Sequence, residues 1–144
     1  MSTEQNKALV RRFNEEVIDQ GNMSLIDKLF APDYVAHPTP PGIPPGREGF
    51  KLVCAMYFSA FSDIKTTIHD MIAEGDMVAA RWTHNCTHKG EFMGIPPTGK
   101  SISIEETCFL RIAAGKIAEY WGQMDNMGMM QQLGVIPAPG QSGS

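Results

Sequence analysis

Asp63-Ile64-Lys65-Thr66-Thr67-Ile68-His69-Asp70-Met71-Ile72 is where the periodicity of this chain changes. Before it, apolar side chains recur at helical spacing; from Ile64 onward Ile64, Thr66, Ile68, Asp70 and Ile72 fall on alternate positions, the period of a strand with two unlike faces. Glu74-Gly75-Asp76 turns the chain, and the alternation returns over residues 77–88, 101–112 and 117–124. Between the second and third runs a loop at 90–99 holds Pro96-Pro97; between the third and fourth lies the turn Ala113-Ala114-Gly115-Lys116. Successive strands joined in this way predict an antiparallel sheet.

Toward the N-terminus the pattern is helical. Ser2-Thr3-Glu4-Gln5 is a capping box, and Leu9, Val10, Phe13 and Val17 follow on one face until Gly21. A second, short helix opens at Ser24, carries Leu25, Ile26, Leu29 and Phe30, and stops at Pro32. Five prolines crowd Pro38-Thr39-Pro40-Pro41-Gly42-Ile43-Pro44-Pro45, which excludes helix and central strand and predicts a loop able to rim a pocket. Phe50, Val53, Cys54, Tyr57 and Phe61 mark a third helix ending near Ser62. At the other end Asp125 can cap a helix bearing Met129, Met130 and Leu133, closed by Gly134 and Pro137. Helices first and strands after them define an α+β chain. With 144 residues it has room for one domain, expected over 1–137, with 138–144 as a flexible tail.

Composition narrows the function. Apolar residues are 42% and charged residues 19%, a globular balance. The 12 Lys+Arg are outnumbered by 16 Asp+Glu and never cluster, so a nucleic-acid footprint is missing. The first residues lack a basic segment followed by an apolar one, and no apolar run reaches membrane length, so no membrane partner and a cytoplasmic location are expected. Cys54, Cys86 and Cys108 are odd in number and widely spaced, which fits buried, reduced thiols.

Neither a dinucleotide fingerprint nor a phosphate loop is present, and Pro96-Pro97 removes the donors that Gly94 to Gly99 would need to cradle phosphate. No Gly-x-Ser-x-Gly elbow occurs. His84, Cys86 and His88 share one strand face, but a catalytic metal site needs a further ligand and supporting acids that the sequence does not supply, so no metal is expected. Acid–base chemistry is better served. Glu105-Glu106 sits in an apolar strand, where adjacent side chains face opposite ways, so one carboxylate must face inward. Glu106 shares parity with Ile104, Cys108 and Leu110 and is the inward candidate. Burial would raise its pKa toward a useful range unless Arg81 or Arg111 pairs with it. His37, before the proline loop, is the candidate proton partner, and Asp125 is either a helix cap or a third catalytic group. Tyr57, Trp82, Cys108, Tyr120, Gly122 and Met124 are the expected cavity walls.

Taken with this element order, Thr87-His88-Lys89-Gly90-Glu91-Phe92-Met93-Gly94-Ile95-Pro96-Pro97-Thr98-Gly99-Lys100, Gly115-Lys116-Ile117, Trp121, Asp125 and Gln132-Leu133-Gly134 resemble the SnoaL-like polyketide cyclase family over about residues 5–136. The resemblance implies a cone-shaped α+β barrel, in which N-terminal helices pack on a strongly bent antiparallel sheet around a pocket, commonly as a homodimer. It also implies a cofactor-free ring closure by intramolecular aldol chemistry, with an Asp as acid/base. That Asp is matched here by Gly122; the family's pocket Asn falls near His37, and its Gln and His fall at Glu106 and Cys108. The expectation is therefore a cofactor-free acid–base enzyme acting on a small apolar carbonyl, lactone or polyketide-like molecule. Its rival is a non-catalytic binding protein of the same fold, and hydrolysis through Asp125 and Glu106 is a third route.

Overall fold

The computed structural model describes residues 2–137 and Gly140. The tail expected at 138–144 therefore falls almost wholly outside the described residues.

Ser2 accepts the Gln5 amide at 3.1 Å and Gln5 accepts the Ser2 amide at 2.9 Å, so the predicted capping box opens α1 (Thr3–Arg12). The helix runs on as a π-helical segment, Phe13–Asp19. Val10 and Val17 are fully buried beneath it. A 3₁₀ turn, Met23–Leu25, leads into a single α-turn, α2 (Ile26–Leu29). Here the structure departs from the sequence reading: Phe30 does not continue the helix but begins strand β1 (Phe30–His37). Pro32 lies inside this strand, where its missing donor is harmless because β1 is an edge strand whose register shifts between Phe30 and Val35. Helix α3 (Arg47–Ala60) then enters β2 (Phe61–Glu74), followed by β3 (Met77–His88), β4 (Ser101–Ala113), β5 (Lys116–Met124) and α4 (Asn126–Leu133).

The strands form one five-stranded sheet in the order β1-β5-β4-β3-β2. Pairing is antiparallel from β2 to β5, as the alternation predicts, but β1 joins β5 in parallel, with Val35 opposite Glu119 and His37 opposite Trp121. The sheet is curled rather than closed, and its inner face packs on the helices. Phe30 anchors this layer: its ring meets Phe13 at 5.2 Å, Phe50 at 4.9 Å and Tyr34 at 4.8 Å, tying the π-helical segment, α3 and β1 together. A second apolar cluster gathers Phe61, Phe92, Ile102, Ile104, Met129 and Leu133. The 90–99 loop delivers Phe92 to it and lies so close to α3 that a Cβ on Gly90 would sit 2.1 Å from the Ser59 carbonyl oxygen. The three cysteines are buried and unpaired.

Candidate functional site

Inward-facing residues of β3, β4 and β5 meet at Glu106. The carboxylate is 8% exposed and lies opposite Trp82 on β3 and Met124 on β5. Trp82 Nε1 donates to Oε1 at 2.8 Å, and the Tyr120 hydroxyl donates to Oε2. Neither Arg81 nor Arg111 reaches it: Arg81 pairs with Asp70 and Arg111 with Glu119, on the other side of the sheet. Burial pushes the Glu106 pKa above the ordinary carboxylate value, while the two donors pull it back. The same burial, with the nearby carboxylate, raises the phenols of Tyr34, Tyr57 and Tyr120 and the Cys108 thiol. Tyr57 is pushed up to about 12, as is Cys54, where burial is the cause. Tyr57 also points its hydroxyl at Met124 Sδ, 3.9 Å away.

Five of the expected wall residues, Tyr57, Trp82, Cys108, Tyr120 and Met124, thus surround one buried carboxylate. Gly122 is the sixth and has a specific role in this packing. A Cβ at 122 would lie 1.9 Å from the Tyr120 hydroxyl oxygen and 2.3 Å from its Cζ. The Tyr120 side chain occupies the volume that a side chain at 122 would need, and from there it reaches Glu106. A larger residue at 122 and the present Tyr120 rotamer exclude each other.

The structure does not bring His37 to Glu106. Its imidazole projects from the opposite, outer face of the sheet, where it stacks on Trp121 with centroids 5.5 Å apart and bonds Glu119 Oε2 at 2.7 Å. The physical reason is β1: parallel pairing with β5 fixes His37 opposite Trp121, whose parity is opposite to that of Tyr120 and Gly122. His37 and Arg111 together hold the Glu119 carboxyl below its ordinary pKa. Asp125 is likewise away from Glu106; it is exposed and accepts the Gly128 amide at 2.9 Å as the N-cap of α4. A hollow of about 340 Å3 opens on the outer face between His37, Pro38, Thr107, Phe109, Trp121 and Gln123. Another, of about 250 Å3, lies between Asp63, Asn85, Cys86, Thr87 and residues 101–103. Neither touches Glu106. The proline loop lies along α3 and β1, with Pro45 accepting the Ala36 amide at 2.9 Å.

Three further inner-face groups escaped the sequence reading. Tyr34 lies on a strand that the Pro32 signal conceals, and the sequence marks Cys54 only as part of a helix face. His84 reads in the sequence only as a metal-ligand candidate. It points inward beside Trp82 and bonds Thr66 at 2.8 Å; burial pushes its pKa down to about 4. Among the described residues His84, Cys86 and His88 do not form a group placed to hold a metal ion. No described helix is long and apolar enough to cross a membrane.

The fold is thus a cone-like α+β sheet with one carboxylate buried on its inner face, held by a phenol and an indole. The chain belongs to the SnoaL-like polyketide cyclase family, whose profile matches residues 8–133. It is 30% identical over 116 residues to nogalonic acid methyl ester cyclase of Streptomyces nogalater, covering 79% of this chain and 87% of that protein. Among solved structures it is similar to TsrD of Streptomyces laurentii (26% identity, TM-score 0.85, 94% of this chain and 99% of that one). It is also similar to IdmH of Streptomyces antibioticus, a candidate polyketide cyclase (34% identity, TM-score 0.79, 90% and 99%).

Proposed function

We propose that the protein is a cofactor-free acid–base enzyme of cyclase type, acting on a small apolar carbonyl compound, a lactone or polyketide-like ester, with Glu106 as the proton-transfer group. The observation that carries this reading is the burial of Glu106: of the buried side chains described, it is the one carboxylate, and its pKa is held up by desolvation. In the forward step the carboxylate removes a proton from the carbon beside a substrate carbonyl, and the electron pair moves onto the carbonyl oxygen. The Tyr120 hydroxyl, released from Glu106 as that group takes the proton, donates to the enolate oxygen. The enolate carbon attacks a second carbonyl, the new C–C bond closes the ring, and Glu106 returns its proton to the resulting alkoxide. Trp82, Tyr57, Cys108 and Met124 supply the apolar walls. In this scheme His37 and Asp125 take no part in proton transfer.

One observation favours the rival, a binding protein that converts nothing: Tyr120 fills the volume beside Gly122, the position that matches the acid/base Asp of the family's cyclases. The two readings part on a single experiment. The protein is incubated with nogalonic acid methyl ester, the compound in its relative's name, and ring closure is followed by chromatography and absorbance. Conversion by the parent protein, and its loss in a folded Glu106→Gln variant, supports the enzyme. Saturable quenching of tryptophan fluorescence without conversion supports the binding protein.

The exposed outer face supports a homodimer. Phe109 is 52% and Trp121 37% exposed, side by side on β4 and β5 around the 340 Å3 hollow. A second copy of the same face would cover both.

A further inference from the structure

The inner face holds a second polar group that the Glu106 chemistry does not use. His84 faces inward on β3, beside Trp82 at 6.2 Å between ring centroids. It keeps part of its surface exposed, as do Thr66 and Ile68 on β2, whereas Trp82, Glu106 and Cys108 are closed over. The β2–β3 side of the inner face is therefore partly open to solvent.

The proton positions around His84 follow from valence. Asp19, at the end of the π-helical segment, reaches the free edge of β2 and accepts the Thr66 amide at 2.9 and 3.1 Å. A carboxylate can only accept, so the 2.6 Å contact between Thr66 Oγ1 and Asp19 Oδ1 carries the single hydroxyl proton of Thr66. Thr66 Oγ1 is then left as the acceptor in its 2.8 Å contact with His84 Nδ1, which must donate. A neutral imidazole with its proton on Nδ1 presents a bare lone pair at Nε2. Among the described residues no protein donor meets that lone pair. The groups facing the ring are Asp19 from the π-helical segment, Thr66 from β2, Ile104 from β4 and Trp82 from its own strand. Burial keeps the ring neutral against the opposing pull of Asp19.

We propose that His84 Nε2 is a fixed hydrogen-bond acceptor of the inner face, oriented by Thr66 and Asp19, and that it selects ligands bearing an enol or phenol hydroxyl over their O-methyl ethers. An acceptor that a ligand must desolvate rejects one that brings no donor, so a preference of about tenfold is expected. The inference rests on the inner face as the ligand site, but not on Glu106 performing catalysis.

The test uses the full chain labelled with 15N-histidine. In the free protein at pH 7, Nδ1 of His84 should resonate as a protonated nitrogen and Nε2 as an unprotonated one. Titration with 2-naphthol should move the Nε2 resonance, and titration with 2-methoxynaphthalene should not, with about tenfold weaker binding of the ether. Thr66→Val should abolish the preference and Thr66→Ser should restore it. A proton on Nε2 in the free protein, or an Nε2 resonance unmoved by saturating 2-naphthol, overturns the proposal. Absence of turnover by the parent protein bears on the acid–base reading alone.

Discussion

Tyr120→Phe removes one hydroxyl from beside Glu106 and leaves the aromatic packing in place. The carboxylate then keeps a single donor, Trp82 Nε1, while remaining 8% exposed. A hydrogen bond to an ionised group contributes about 1.5–3 kcal/mol, and one to a neutral group about 0.5–1.5 kcal/mol. The destabilisation should therefore depend on the charge of Glu106, and hence on pH. Burial sets the folded-state pKa above the unfolded one, so the native state binds the proton more tightly. The stabilisation from Glu106 is then complete below the unfolded pKa, and it is lost as pH rises through the folded value. Removing a donor that favours the ionised form raises the folded value further, so the variant should fall behind the parent mainly on the alkaline side. Urea and thermal unfolding at pH 5 and pH 8 read this directly. Where Glu106 is ionised the expected deficit is about 1.5–3 kcal/mol, or roughly 4–10 °C in Tm for a chain of this size. It should be smaller at pH 5 than at pH 8. Equal deficits at the two pH values, or a larger one at pH 5, would show that Tyr120 does not support an ionised Glu106.

Other perturbations probe the neighbouring packing. Gly122→Ala should cost about 1–3 kcal/mol, because its Cβ meets Tyr120, and combining it with Tyr120→Leu should cost less than the sum of the two changes in urea unfolding. For the same reason Gly122→Asp should unfold earlier than the parent in urea, and less so when Tyr120 is also shortened. Asp125→Ala should lower stability by about 1 kcal/mol through the lost cap, with turnover unchanged; a fall in kcat at unchanged stability would make Asp125 catalytic after all. Trp121→Lys should reduce the sedimentation coefficient to that of a monomer, and a coefficient equal to the parent's would remove the outer face from the dimer proposal.

The sheet from β2 to β5 was legible in the sequence because each strand has one buried face, and a period of two records which residues share it. That is also why Glu106 could be chosen over Glu105: parity with Cys108 and Leu110 is a local fact. Strand β1 was hidden, since its length is interrupted by Pro32 and its partner lies at the far end of the chain. Misplacing β1 misplaced His37, because the face of its imidazole is set by that parallel pairing and by nothing near it in sequence. The His84 arrangement was illegible for a related reason. It needs a π-helical segment to carry Asp19 to the edge of β2, and no spacing rule connects residues 19, 66 and 84. Tyr120 lying over Gly122 was half legible: shared parity puts the two on one face, but the direction of the ring comes from Glu106 across the strand.

The order in which the strands are joined also governs when the chain can fold during synthesis. Strand β1 has one partner in the sheet, β5, so Phe30 waits for Ile117 to emerge from the ribosome. At 5–20 residues per second that interval is roughly 4–17 s. During it Phe30 and Tyr34 can gather only the aromatic rings of the π-helical segment and α3, with no finished sheet beneath them. A nascent chain arrested before residue 116 should stay open to proteases however much of it has been made, and closure should arrive late and all at once, when the last strand slides in between the first and the fourth.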